Sequence, residues 1–116
     1  MDSYLFHADV FFPERMKRPL FEGRLKYGPH AAREAEKDRY GCFTLPTFFE
    51  ASNARCIEAA VDSRTHEVVK QVWRQKLDET RDIVLVIGKG GFVRTVWVNL
   101  TSDKHRTLDK SKYVNA

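Results

Sequence analysis

Between residues 55 and 99 the chain sets out four strand-like runs, joined by three polar connections too short to carry the backbone across a sheet. The runs cover residues 55–61, 66–77, 82–87 and 92–99. They are separated by Asp62-Ser63-Arg64-Thr65, Asp78-Glu79-Thr80-Arg81 and Gly88-Lys89-Gly90-Gly91. A parallel crossover needs roughly a dozen residues or more, so connections this short demand antiparallel neighbours. The run Asp82-Ile83-Val84-Leu85-Val86-Ile87 is β-branched and apolar at both parities, as a strand covered on both faces must be. In the preceding run Val69 and Trp73 share one parity, and Lys70, Val72 and Arg74 the other. These features predict a continuous antiparallel meander over residues 53–99. Residues 82–87 should be interior to it, Trp73 and Ile83 should be core, and the stretch should hold neither helix nor parallel pairing.

Upstream, Tyr4, Phe6, Ala8, Val10 and Phe12 alternate with His7 and Asp9, which predicts a half-buried strand over residues 4–12, ended by Pro13. Gly28-Pro29 opens a helical pattern over residues 29–40. Pro29 suits the first helical position and Gly41 the left-handed cap. Ala31, Ala32 and Ala35 form a small-residue face able to lie close to a sheet, and His30, Glu34 and Lys37 recur on a polar side. Residues 45–49 read as a short helical turn, and residues 100–116 as a polar tail. The expected fold class is therefore α+β: one or two short helices packed on an antiparallel meander of four strands, with an N-terminal edge strand. One domain should span residues 1–116.

Composition narrows the function classes. A chain of 116 residues has room for one core, and eight Phe, four Tyr and two Trp supply it. No apolar run approaches the ~20 residues that span a bilayer, so no membrane partner is expected. The start carries Asp2 and lacks a basic segment ahead of its apolar stretch, which reads as strand rather than export signal and predicts a cytoplasmic protein. Cys42 and Cys56, without CxxC spacing, read as free thiols. The net charge of +4 suits a polyanionic partner without requiring one. Gly88-Lys89-Gly90-Gly91 lacks the spacing and following helix of a phosphate loop and is a plain turn. Asp103, His105 and Asn99 fall short of a metal-ligand set, so neither metal nor cofactor is expected.

The stretch with most chemical content is the last strand and its continuation. Thr95, Trp97 and Asn99 share a face, Arg94 lies opposite, and Asp103, Lys104, His105 and Arg106 follow. An RNA site would use each type: indole to stack on a base, guanidinium and ammonium to hold phosphate, imidazole to move a proton. The plainer alternative makes Trp97 core, has Asn99 and Asp103 close a turn, and leaves His105 solvated. His30, in the first turn of the helix beside Arg33 and Lys37, is the second histidine of interest, with a half-exposed helix residue as its alternative.

A helix bearing His30-Ala31-Ala32-Arg33, followed by a meander ending Val93-Arg94-Thr95-Val96-Trp97-Val98-Asn99, resembles the small RelE/ParE-like proteins of the wider barnase, EndoU, colicin and RelE group. The helix end Asp38-Arg39-Tyr40-Gly41 and the run from Trp97 to Tyr113 are similar to short proteins of bacteriophages and mobile elements, which implies the cytoplasm of a bacterial host cell. The likeness covers residues 27–113. It implies RNA cleavage without metal, with His30 or His105 as proton donor or acceptor and Arg94 completing the catalytic set. Lys70, Arg74, Trp97, Asn99 and Lys104 would then bind the RNA. The chain departs from the toxins in its extra N-terminal strand and its single compact basic cluster.

Three functions follow as expectations: a ribonuclease, perhaps held by an antitoxin; a non-catalytic phage-type protein that docks on a host enzyme or nucleic-acid complex; and a nucleic-acid-binding regulator that uses the basic tail. An edge strand would also let a second copy of the chain pair with the first.

Overall fold

The computed structural model of the chain describes residues 3–103 and 110–114. Its strands are β1 (Ser3–His7), β2 (Gly23–Arg24), β3 (Lys26–Tyr27), β4 (Phe48–Phe49), β5 (Ala54–Asp62), β6 (Val68–Lys76), β7 (Arg81–Gly88) and β8 (Phe92–Leu100). One α-helix, α1 (Pro29–Lys37), is present among the described residues. A six-stranded mixed sheet runs in the order β1-β5-β6-β7-β8-β3, and β2 and β4 pair as a separate two-stranded sheet.

This strand-rich α+β architecture corrects the expectation of one or two helices on a four-strand antiparallel meander with one added edge strand. β3 lies parallel to β8, with Lys26 opposite Phe92 and Tyr27 opposite Val93. A 3-10 turn occupies Lys89–Gly91. The stretch expected to be free of helical backbone and of parallel pairing therefore contains both. Residues 45–49, read as a helical turn, contribute β4 instead. Strands of two residues carry no period, so nothing in the local pattern distinguishes β2, β3 and β4 from loop.

Two elements also stop earlier than their patterns suggest, each for a hydrogen-bonding reason. β1 ends at His7 because the backbone N–H of Val10 returns to the His7 carbonyl (3.1 Å), while that of Asp9 donates to His7 Nδ1 (3.0 Å). α1 ends at Lys37 because Asp38 turns extended and uses its carboxylate outside the helix. Its oxygens accept the N–H groups of Tyr40 (3.0 Å) and Val98 (3.1 Å), tying the helix end to β8. Gly41, at φ +99°, then closes the following turn rather than capping the helix. Arg81 holds the same corner, its Nη1 donating to the carbonyls of Tyr40, Gly41 and Cys42.

The core lies between the sheet and α1. Ala31 of the helix, Leu25 and Phe49 pack on Cys56, Trp73, Ile83, Leu85, Ile87, Val93 and Val96. The Phe49 and Trp73 rings meet edge to face at 5.1 Å. Small Ala31 and Ala35 let the helix axis approach, and removal of this apolar surface from water is the main stabilising term. Burial pushes the Cys56 thiol up to about 12, so it stays protonated at neutral pH. Gln71 is fully buried here and uses its whole amide. Nε2 donates to the carbonyls of Met16 (2.9 Å) and Arg18 (2.6 Å), and Oε1 accepts from Leu20 N–H (2.8 Å) and Trp73 Nε1–H (3.1 Å). That one side chain staples the connector after β1 onto the sheet. The connector continues to Phe21, whose ring occupies the space where any Cβ at Gly91 would sit, 2.5 Å away.

Candidate nucleic-acid interface

The opposite face of the sheet is organised as rows fixed by strand register. One row runs Lys76, Asp82, Asn99; the next runs Arg55, Arg74, Val84, Trp97; the third runs His7, Glu58, Val72, Val86, Thr95. A register irregularity between Cys56 and Glu58 in β5 brings Ile57 onto this face, where it packs with Val72, Val84 and Val86 under Trp97. The apolar floor is continuous and the polar groups stand around it.

A cavity of about 230 Å³ opens on this floor. Trp97 and Asn99 of β8 form one wall, Lys70 of β6 one end, and His7, Glu58 and Tyr113 the far side. Its polar groups are pre-set. Tyr113 Oη donates to Glu58 Oε1 (2.6 Å), and the Tyr113 ring lies 5.0 Å from the His7 imidazole. His7 is 3% exposed and is seated by the Asp9 N–H on Nδ1, which leaves the ring proton of a neutral imidazole on Nε2. The neighbouring Val114 N–H donates to the Leu5 carbonyl (2.8 Å), so the described end of the chain is fastened along β1.

The described residues expected to form a site separate into four groups, and two more lie outside the described residues. Trp97, Asn99 and Lys70 line this one cavity. Arg74 shares the face but is buried: Nε donates to Asp82 Oδ2 (2.7 Å) and Nη2 to the Leu100 carbonyl (2.9 Å). Arg94 is exposed and lines a separate depression with Val69, Lys89 and Phe92. His30 is exposed on α1, on the other side of the sheet, with Nε2 3.2 Å from Glu34 Oε1. His105 and Lys104 lie outside the described residues. Among the described residues no three His, Cys, Asp or Glu side chains converge as a metal site, and no helix is long and apolar enough to cross a membrane.

His7, Glu58 and Tyr113 were not singled out from the sequence. Only His7 left a trace, on the polar parity of the first strand. The three meet because β1 pairs with β5 at His7–Glu58 and because the chain returns to β1 after residue 109, neither of which a local pattern encodes. Comparison with protein-family models, with curated proteins and with solved structures found no match.

Proposed function

We propose that this protein binds single-stranded RNA on the face of its sheet opposite α1, with a base stacked on Trp97, as a binding module rather than a nuclease. The observation that carries this reading is the placing of Trp97, Asn99 and Lys70 around one cavity beside an apolar floor. A half-buried indole offers a π-face to any base, an amide reads or fills its edge, and an ammonium neutralises the adjoining phosphate. Stacking of this kind contributes about 1–3 kcal/mol per base. The overall charge of +4 favours approach of a polyanion.

Among the described residues, binding is favoured over cleavage by the condition of His7 and His30. His7 is buried and its Nδ1 is committed to a backbone N–H, so protonating that nitrogen would set donor against donor. His30 faces away from Trp97. Cleavage on the RelE-like plan keeps one supporting observation, the Glu58 carboxylate at the cavity with Tyr113 Oη bound to it. A carboxylate there can accept the proton of a ribose 2′-OH. Incubating the purified full chain with a mixed single-stranded RNA in excess EDTA separates the two. Retention of intact RNA in a gel shift supports the binding module. Cleavage that Glu58→Gln abolishes supports the nuclease. A chain that neither shifts nor cuts the RNA contradicts both.

A further inference from the structure

We infer that the corner next to the Trp97 cavity, built by Arg55, Arg74 and Lys76, is a receptor for a phosphate oxyanion, in the RNA reading the phosphodiester adjoining the stacked base. A second cavity, of about 390 Å³, lies there, with Asp82, Thr101 and Asp103 on its far side and Ser52 and Asn53 at its rim.

Three observations point to an anion. Arg55 and Arg74 stand directly opposite one another across β5 and β6 on the same face. Like charges at such a position repel, and among the described residues no carboxylate pairs with Arg55. Next, the Arg74 guanidinium is 3% exposed, yet it satisfies only Nε and Nη2; Nη1 is buried and has no partner. A buried donor left unmade is costly, and a charged one more so. Finally, the carboxylate that faces Arg74 is engaged elsewhere than with Arg55: Asp82 accepts Arg74 Nε on Oδ2 and Thr101 Oγ1–H on Oδ1 (3.0 Å). Lys76 keeps only a solvent-exposed partner, Glu79, at 3.7 Å.

Guanidinium forks match tetrahedral oxyanions through paired N–H···O bonds, which selects phosphate over halide. Arg55 and Lys76 are exposed and able to rearrange around an incoming anion, and Arg74 lines the same cavity. Position supplies the rest. Asp82 of this corner is the cross-strand partner of Asn99, and Arg74 and Trp97 flank Val84 in one row. A strand with its base on Trp97 thus runs its backbone into the corner. That the phosphate is the strand's own rests on the RNA reading; the anion receptor does not.

The test titrates the ¹⁵N-labelled full chain at constant ionic strength with inorganic phosphate, with the dinucleotide UpU and with uridine. It follows the Arg55 and Arg74 Nε–H signals and the fluorescence of Trp97, assigned by difference against Trp97→Leu. The receptor predicts saturable phosphate shifts at Arg74 and Arg55 that weaken about fivefold or more in Arg55→Gln, a variant at an exposed position. Shifts that do not saturate, or that are the same in Arg55→Gln, overturn it. Phosphate binding at the corner with no response of Trp97 to uridine or UpU sinks the RNA reading and leaves the receptor standing. Quenching of Trp97 by UpU with silent arginines sinks the receptor alone. Phosphate bound as tightly as UpU overturns the assignment to a phosphodiester of the strand.

Discussion

The two faces of the same sheet solve opposite problems. On the helix side, Trp73, Ile83, Leu85 and Ile87 meet Phe49 and Ala31, and the buried amide of Gln71 spends all its hydrogen-bonding capacity on the connector and on Trp73. On the other side, Val72, Val84 and Val86 make an apolar floor, but Arg74 is buried with a donor unmade and His7, Glu58, Lys70 and Asn99 surround a cavity. Adjacent residues of β6 serve both: Gln71 and Trp73 the closed face, Lys70, Val72 and Arg74 the other. A polar group that ends in full satisfaction contributes to the fold, whereas one left short at a cavity is available to a ligand.

The largest expected effect tests whether Arg74 also holds the fold. Replacing it with Leu leaves the Asp82 carboxylate without its partner and should lower stability by about 3–5 kcal/mol in chemical denaturation. An unchanged midpoint would mean that the ion pair makes no net contribution to stability. Ile83→Ala removes a fully buried side chain from the closed face and should cost about 2–5 kcal/mol. If the two faces act independently it should leave RNA affinity of the folded fraction unaltered; a loss of affinity at constant folding would show that the faces are coupled.

How far these assignments were legible in the sequence depends on the scale of the signal. β5 to β8 carry eight or nine residues each, long enough for period-two alternation to show, and β7 reveals its two-sided burial by Val, Ile and Leu at both parities. β2, β3 and β4 carry two residues each and pair with partners far along the chain, so they left no pattern. Trp97 and Asn99 stand out in the sequence by their chemistry at the end of a strand and Lys70 only through the resemblance; that the three line one cavity is a tertiary fact. The buried state of Arg74 does not show, since a basic residue on a polar parity reads as solvated until its partner across the turn, Asp82, is known. The distance of His30 from the cavity follows from α1 covering the other face, again a tertiary fact.

The smallest effect concerns the turns that hold the long strands in register. Hydrogen bonds from the backbone of Thr65 and Arg64 hold the Asp62 carboxyl below its ordinary value of 3.8, and the Arg81 side chain does so for Asp78. Both folded values lie below the unfolded one. Their stabilisation is therefore fully present above about pH 4 and is lost as pH falls through the folded values. Denaturation midpoints of the double variant Asp62→Asn/Asp78→Asn should show a flatter decline below pH 4 than the parent chain. Identical acid limbs would show that these turns contribute nothing specific.

The most direct test of the contrast between the faces is a fluorescence-anisotropy titration of labelled single-stranded oligouridylate with the parent chain and with Trp97→Leu, at one fixed salt concentration. Leucine keeps apolar cover over Val84 and Val86 but has no π-face. The account predicts that the parent binds and that Trp97→Leu, still folded, binds about 5- to 150-fold more weakly, the loss of one stacked base. Equal affinity of the two proteins, or no binding by the parent, would contradict it.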